Sequence, residues 1–224
     1  MPCIMQTFKT SKSKENILSK IRKELNKKSL PMPFPEVEKR QGEQMYASTG
    51  LSAEEDFAAN FNILGGKFVF CVNEAELLEN ISALYENRGW KKMLCADEKL
   101  LDKFRTNHID IVLSADENQE DAEACITGCE ALVGRTGSVI ISSRQHMGRT
   151  SSVFYPIHII VAYTGQVVPD IQQALELMKT RYGANLPSMI NLNTGPSRTA
   201  DIEKTLVVGV HGPGEVFCFL VNDI

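Results

Sequence analysis

The sequence predicts an α/β fold, a three-layer α/β/α domain preceded by an N-terminal helical extension. Three observations predict it. Strand and helix patterns alternate through the first half of the globular part, in the order strand, helix, strand, helix, strand. The strand-like runs, such as Lys67-Phe68-Val69-Phe70-Cys71-Val72, are continuously apolar, as strands buried on both faces of a parallel sheet are. And 224 residues, 43% of them hydrophobic, can bury a core without metals or disulfides.

Taken in order, residues 9–28 hold eight of the 24 basic residues and two acids. Ile17, Leu18, Ile21 and Leu25 recur there at helical spacing, which predicts an amphipathic helix. Its basic face is either a docking surface or simply solvated, and charge runs favour the second. Ser29-Leu30-Pro31-Met32-Pro33-Phe34-Pro35 forbids helix and predicts an extended linker. The domain plan is therefore 1–45, basic helix and proline-rich linker, then 46–224, the α/β body.

The body opens on a capping box, Ser52-Ala53-Glu54-Glu55, with Phe57, Phe61 and Leu64 on one face and Gly65-Gly66 as the stop. Strand 67–72 follows, then a helix from Asn73 with Leu77, Ile81 and Leu84 inward, ended by Gly89. Strand 92–95, a short helix capped by Asp97, and strand 109–113 complete this half. The second half predicts strands at 125–133, 138–142, 157–163, 188–192, 205–210 and 216–222, the later ones as extra or antiparallel edges. One helix lies among them, 170–182, capped by Asp170, with Ile171, Leu175 and Met178 inward.

A formal charge of −4 excludes a dominant polyanion binder. No apolar run approaches the roughly 18–20 residues a membrane helix needs, and Met1-Pro2-Cys3 opens no leader-like segment. Six cysteines, several inside apolar runs as in Phe217-Cys218-Phe219, read as reduced thiols of a cytoplasmic protein. Cys125-x-x-x-Cys129 lacks the partners of a metal site.

Four segments are candidates for chemistry. In Arg135-Thr136-Gly137-Ser138, a tight glycine turn flanked by hydroxyls is either an anion-binding turn or a plain hairpin turn. Ser142 to Ser152 carries Arg144, His146 and Arg149 with five hydroxyls and no acid, a composition suited to carboxylate or phosphate or to a merely mobile loop. Asn193-Thr194-Gly195-Pro196-Ser197-Arg198-Thr199-Ala200-Asp201 follows a strand, and Pro196 fits the first turn of a short helix. Its free N–H groups, Ser197, Thr199 and Arg198 would cradle an anion; the alternative is an Arg198–Asp201 pair that pins the loop. In Val210-His211-Gly212-Pro213-Gly214, His211 is a turn residue or a general base. His158 reads as a hydrogen-bonded core group. No P-loop, nucleophile elbow or dinucleotide fingerprint is present.

The segments Gly195-Pro196-Ser197-Arg198-Thr199-Ala200-Asp201-Ile202-Glu203 and Leu206-Val207-Val208-Gly209-Val210-His211-Gly212-Pro213 resemble the C-terminal signature of the lactate utilization protein C family, the LUD domain. Ile126-Thr127-Gly128, Arg135-Thr136-Gly137-Ser138-Val139, Pro156-Ile157-His158-Ile159 and Val167-Val168-Pro169-Asp170 resemble its other motifs, in order, over about residues 50–224. The chain departs from the pattern at Arg135, where the family commonly has an acid. The resemblance implies a fold related to the sugar-phosphate isomerase and CoA-transferase superfamily. It implies a bacterial cytoplasmic accessory subunit in L-lactate oxidation to pyruvate, with no cofactor on this chain and iron–sulfur clusters on partner subunits. The alternative is a stand-alone transferase or isomerase-like enzyme acting on a phosphorylated or CoA-linked molecule, with Glu130 or His211 as base or nucleophile. The candidate ligand residues are then Thr136, Gly137, Ser138, Arg144, Arg149, Gly195, Ser197, Arg198, Thr199, Asp201 and His211.

Overall fold

The computed structural model describes residues 12–27, 49–109, 112–114, 121–145, 147–200, 206–209 and 211–223. The chain divides into two units, Met1–Ala47 and Ser48–Ile224. The first contributes α1 (Lys12–Leu25), whose Ile17, Ile21 and Leu25 form an exposed apolar stripe at the expected spacing. The proline-rich linker lies outside the described residues.

In the second unit α2 (Ala53–Ile63) starts at the expected capping box. Ser52 Oγ accepts from Glu55 N at 3.2 Å, and the Glu55 carboxylate accepts from Ser52 N at 2.8 Å. Then come β1 (Lys67–Cys71), α3 (Glu74–Arg88), β2 (Met93–Cys95), α4 (Glu98–Thr106) and β3 (Val112–Ser114). Asn73 and Asp97 cap α3 and α4 through their side chains. The chain continues through β4 (Ala124–Thr127), β5 (Ala131–Val133), β6 (Ser138–Ser142), the short α5 (Ser151–Phe154) and β7 (Ile157–Tyr163). After a 3₁₀ turn come β8 (Val167–Val168), α6 (Ile171–Tyr182), β9 (Ile190–Asn193), β10 (Arg198–Ala200), β11 (Leu206–Val208) and β12 (Glu215–Val221).

Six strands form an all-parallel sheet in the order β1-β12-β7-β4-β2-β3. Helices α3 and α4 cover one face, where Leu77, Ile81, Leu101 and Phe104 pack with Val161 and Phe219. Side chains of the opposite parity, such as Ile160, Cys218 and Leu220, meet Phe57 and Phe61 of α2 and Leu132, Val139 and Ile141 of a second sheet. That sheet has the order β8-β5-β6-β9, and Ala174 of α6 closes its far side against Ala131, Val133 and Ile140. The parallel sheet flanked by helices is the expected α/β class.

Three local expectations are corrected. The single strand expected over 125–133 is two strands in two sheets, joined where Gly128-Cys129-Glu130 crosses from one to the other. The later strands do not simply extend the parallel sheet: β12 is inserted between β1 and β7, and β5, β6, β8 and β9 form the second sheet. Leu175 is 42% exposed, and Ala174 takes the inward position beside Met178.

Candidate functional site

A cleft of about 340 Å³ opens at the amino ends of β7 and β12. Its walls come from both sheets, two helices and two loops. Phe61 of α2 and Ile160 of β7 give it an apolar floor, and Ser152 of α5, Ser197 and His211 bring polar groups. The loops at 194–197 and 211–214 are tied together: Ser197 N donates to Pro213 O at 2.9 Å, and Gly209 N donates to Ser197 O at 3.0 Å. Ser138 and Thr194 share a 2.9 Å hydroxyl–hydroxyl hydrogen bond, which anchors the 194–197 loop to β6.

His158 forms part of the inner wall and is 1% exposed. Its Nε2 shares a 2.8 Å hydrogen bond with Thr127 Oγ1 on the neighbouring strand. Burial pushes its pKa down to about 4, so the ring is neutral at physiological pH. Beside it Ser152 Oγ is buried without a hydrogen-bond partner among the described residues. An unpaired buried hydroxyl is costly and is commonly completed by a water or a ligand. Among the described residues, no arginine, lysine, aspartate or glutamate lines this cleft. It therefore suits a ligand that hydrogen-bonds to hydroxyls and an imidazole more than one recognised by a cation.

The four sequence segments distribute as follows. Gly195, Ser197 and His211 line the cleft, and Ser138 supports it through Thr194. Thr136 and Gly137 do not reach it. They form the hairpin turn between β5 and β6, which is packed against α2, where Asn60 Nδ2 donates to Gly134 O at 3.0 Å and Arg135 O at 3.1 Å. Arg135 instead pairs with the Asp170 carboxylate through two hydrogen bonds of 2.7 and 2.6 Å. That guanidinium holds Asp170 below the usual carboxylate range against a smaller opposing effect of burial.

Arg144 and Arg149 lie away from the cleft. Arg144 donates to Asn185 O at 3.0 Å and stacks over the Tyr182 ring, and Arg149 donates to Ser188 Oγ. Both brace the connection from α6 to β9. The helix expected after Pro196 is a short antiparallel ribbon instead, β10 with β11, so no helix amino terminus stands there. Arg198 is exposed and donates to Leu64 O, which fastens the ribbon to the end of α2. Asp201 and His146 lie outside the described residues, as does the side chain of Thr199.

Glu130 is 2% exposed and faces no cleft. Its carboxylate accepts from Ser142 Oγ at 2.6 Å, from Tyr182 OH at 2.8 Å and from Arg181. These three hydrogen bonds tie the crossing segment to β6 and α6, so the carboxylate is structural. Local composition did not single out Ser152 as a site residue. The signal was in the strand parity, which places His158 and Ile160 on the face turned toward the second sheet.

The five described cysteines, Cys71, Cys95, Cys125, Cys129 and Cys218, are all buried. Burial pushes the Cys95 and Cys129 thiols up to about 12, and Cys71, Cys125 and Cys218 also upward. Among the described residues no three His, Cys, Asp or Glu side chains are grouped so that they could hold a metal ion.

The family model of the LUD domain matches residues 8–221. The chain is similar to "Lactate utilization protein C" of Bacillus velezensis, 39% identical over 109 residues, which is 48% of this chain and 45% of that protein. It is similar to the protein of that name from Anoxybacillus flavithermus, 27% identical over 162 residues, 67% of this chain and 72% of that protein. The first of these matches spans about half the length of the relative. Among solved structures, a DUF162 family protein from Deinococcus radiodurans has a TM-score of 0.56 at 23% identity, over 76% of this chain and 99% of that one. This last likeness supports the fold alone.

Proposed function

The chain belongs to the LUD domain family, and from that premise we propose that it serves bacterial L-lactate utilisation as a non-redox subunit. Iron–sulfur partner chains would carry the electrons as L-lactate is oxidised to pyruvate. The observation that carries the reading is the family match over residues 8–221, together with relatives named lactate utilization protein C. The buried, protonated cysteines support a division of labour in which the clusters sit on other chains.

On this reading the cleft beside His158 is where the chain meets a small ligand or a partner segment. The neutral imidazole, Ser152 and Ser197 offer it hydrogen bonds without a net charge. A stand-alone enzyme acting on a phosphorylated substrate is the second reading. It gains little here, because Arg144, Arg149 and Arg198 bond Asn185 O, Ser188 Oγ and Leu64 O and do not line the cleft.

The test is purification of the tagged protein from native cells grown on lactate, with iron analysis of the eluate and growth of a deletion strain. Stoichiometric iron–sulfur proteins in the eluate and lost growth on lactate are expected. A protein that elutes alone, from a strain whose deletion grows normally on lactate, overturns the proposal.

A further inference from the structure

A second crevice lies at the opposite end of the parallel sheet. The chain leaving β2 passes through α4 to β3, on one side; the chain leaving β4 reaches its next parallel strand, β7, on the other. β2 and β4 are neighbours, so their carboxyl ends form a topological switch point, the place where open parallel sheets leave room for a ligand. A cleft of about 310 Å³ opens there, lined by residues that include Asp97, Lys99, Gly128, Gln145 and Tyr163. A recess of about 10 Å³ shares Asp97, Gly128 and Gln145 with it and adds Ser151. That recess has room for about one water-sized group.

Several polar groups here are not consumed by the fold. Ser151 is 1% exposed, and its Oγ has no hydrogen-bond partner among the described residues. Asp97 spends Oδ1 on the Leu100 N–H at 3.1 Å as the cap of α4. Its Oδ2 would stand 3.0 Å from a Cβ on Gly128, so any side chain at 128 would cover it. Gln145 fixes its Oε1 on Ser142 N at 3.0 Å, which leaves the amide nitrogen as a donor. Lys99 has no partner among the described residues, while Lys103 bonds Tyr163 OH at 3.0 Å and Glu74.

A cation and an amide donor next to a carboxylate oxygen make a mixed site. A plain anion gains from Lys99 but is opposed by Asp97. A neutral polyol gains from Asp97 but leaves Lys99 unused. We infer that this crevice binds a small anion that also carries a hydroxyl group. The anionic group would meet Lys99 and the Gln145 N–H, the hydroxyl would donate to Asp97 Oδ2, and Ser151 would complete the recess. The inference is independent of the lactate reading.

The test is titration of the full chain, followed by amide NMR shifts, with L-lactate, D-glycerate and sn-glycerol 3-phosphate. Acetate, inorganic phosphate and glycerol are the controls. At least one hydroxylated anion should bind saturably and about tenfold more tightly than every control. Lys99→Ala, at an exposed position, should weaken it by about tenfold. Ser151→Ala should weaken binding without lowering the melting temperature, since its hydroxyl forms no internal hydrogen bond. Absence of saturable binding by all three probes overturns the inference. So does binding that both variants leave unchanged, which would put the ligand elsewhere. Neither result depends on whether a deletion strain grows on lactate.

Discussion

His158 is neutral in the folded protein because burial depresses its pKa to about 4, against 6.5 for the free side chain. The unfolded chain therefore binds a proton between those values that the folded chain refuses. Stability from this group is full above pH 6.5 and is lost as pH falls toward 4, by about 3 kcal/mol in all. Denaturant unfolding between pH 7 and 4 should show that loss, and His158→Asn should flatten the part between 6.5 and 5. An unchanged slope in the variant would contradict the assignment. Asp170, held below its ordinary range by Arg135, contributes in the same direction at lower pH, since its advantage disappears as it protonates. Glu130 gives a second prediction: Glu130→Gln keeps the shape but weakens three hydrogen bonds to a charge, and should cost about 2 kcal/mol in denaturant midpoint measurements. These residues show what composition reveals and conceals. The sequence marked Arg144, Arg149 and Arg198 as anion-binding chemistry, but their partners, Asn185 O, Ser188 Oγ and Leu64 O, are remote in the chain or unremarkable in type. His158 was legible as a core group because apolar residues flank it on both sides.

At the scale of elements, the hairpin turn between β5 and β6 carries the sharpest prediction. Gly137 has φ of +58°, and a Cβ there would lie 2.5 Å from Phe61 N on α2. Gly137→Ala combines left-handed strain with a clash against helix backbone that cannot yield, and should cost about 3 kcal/mol or more. Gly89 has φ of +62° but open space around it, so Gly89→Ala should cost only about 1 kcal/mol. Thermal unfolding of the two variants separates close approach from backbone conformation, and equal losses would refute the packing role of Gly137. The helices were legible because their caps are local: Ser52, Asn73, Asp97 and Asp170 each bond an N–H no more than three residues onward. The division of 125–133 was not. β4 and β5 are both fully buried, and the crossing between them holds its polar groups with partners such as Arg181 and Tyr182, some fifty positions away. The helix expected after Pro196 failed for a related reason. Proline sets φ for a first helical turn, but the pairing of Arg198–Ala200 with Leu206–Val208 decides the backbone there.

For the whole molecule, the parallel sheet places one site at each end of β7. His158 at its amino end borders the first cleft, and Tyr163 at its carboxyl end borders the second crevice. The intervening side chains, Ile159 to Ala162, are almost wholly buried, so the two ends are joined by packed core rather than by a channel. Every buried cluster of this body is built from Phe57 onward. In the basic helix α1, Ile17, Ile21 and Leu25 are 58%, 48% and 77% exposed. Removing residues 1–47 should therefore leave the melting temperature of the body within about 2 °C of the full chain, since a change of 1 kcal/mol would move a domain of this size by about 2–4 °C. The same truncation should reduce recovery of partner chains in the native purification if the exposed stripe is a docking surface. A drop of more than about 5 °C would instead assign α1 to the core of the fold. Unchanged melting with undiminished partner recovery would leave the stripe solvated, and would move the search for the partner surface to the cleft beside His158.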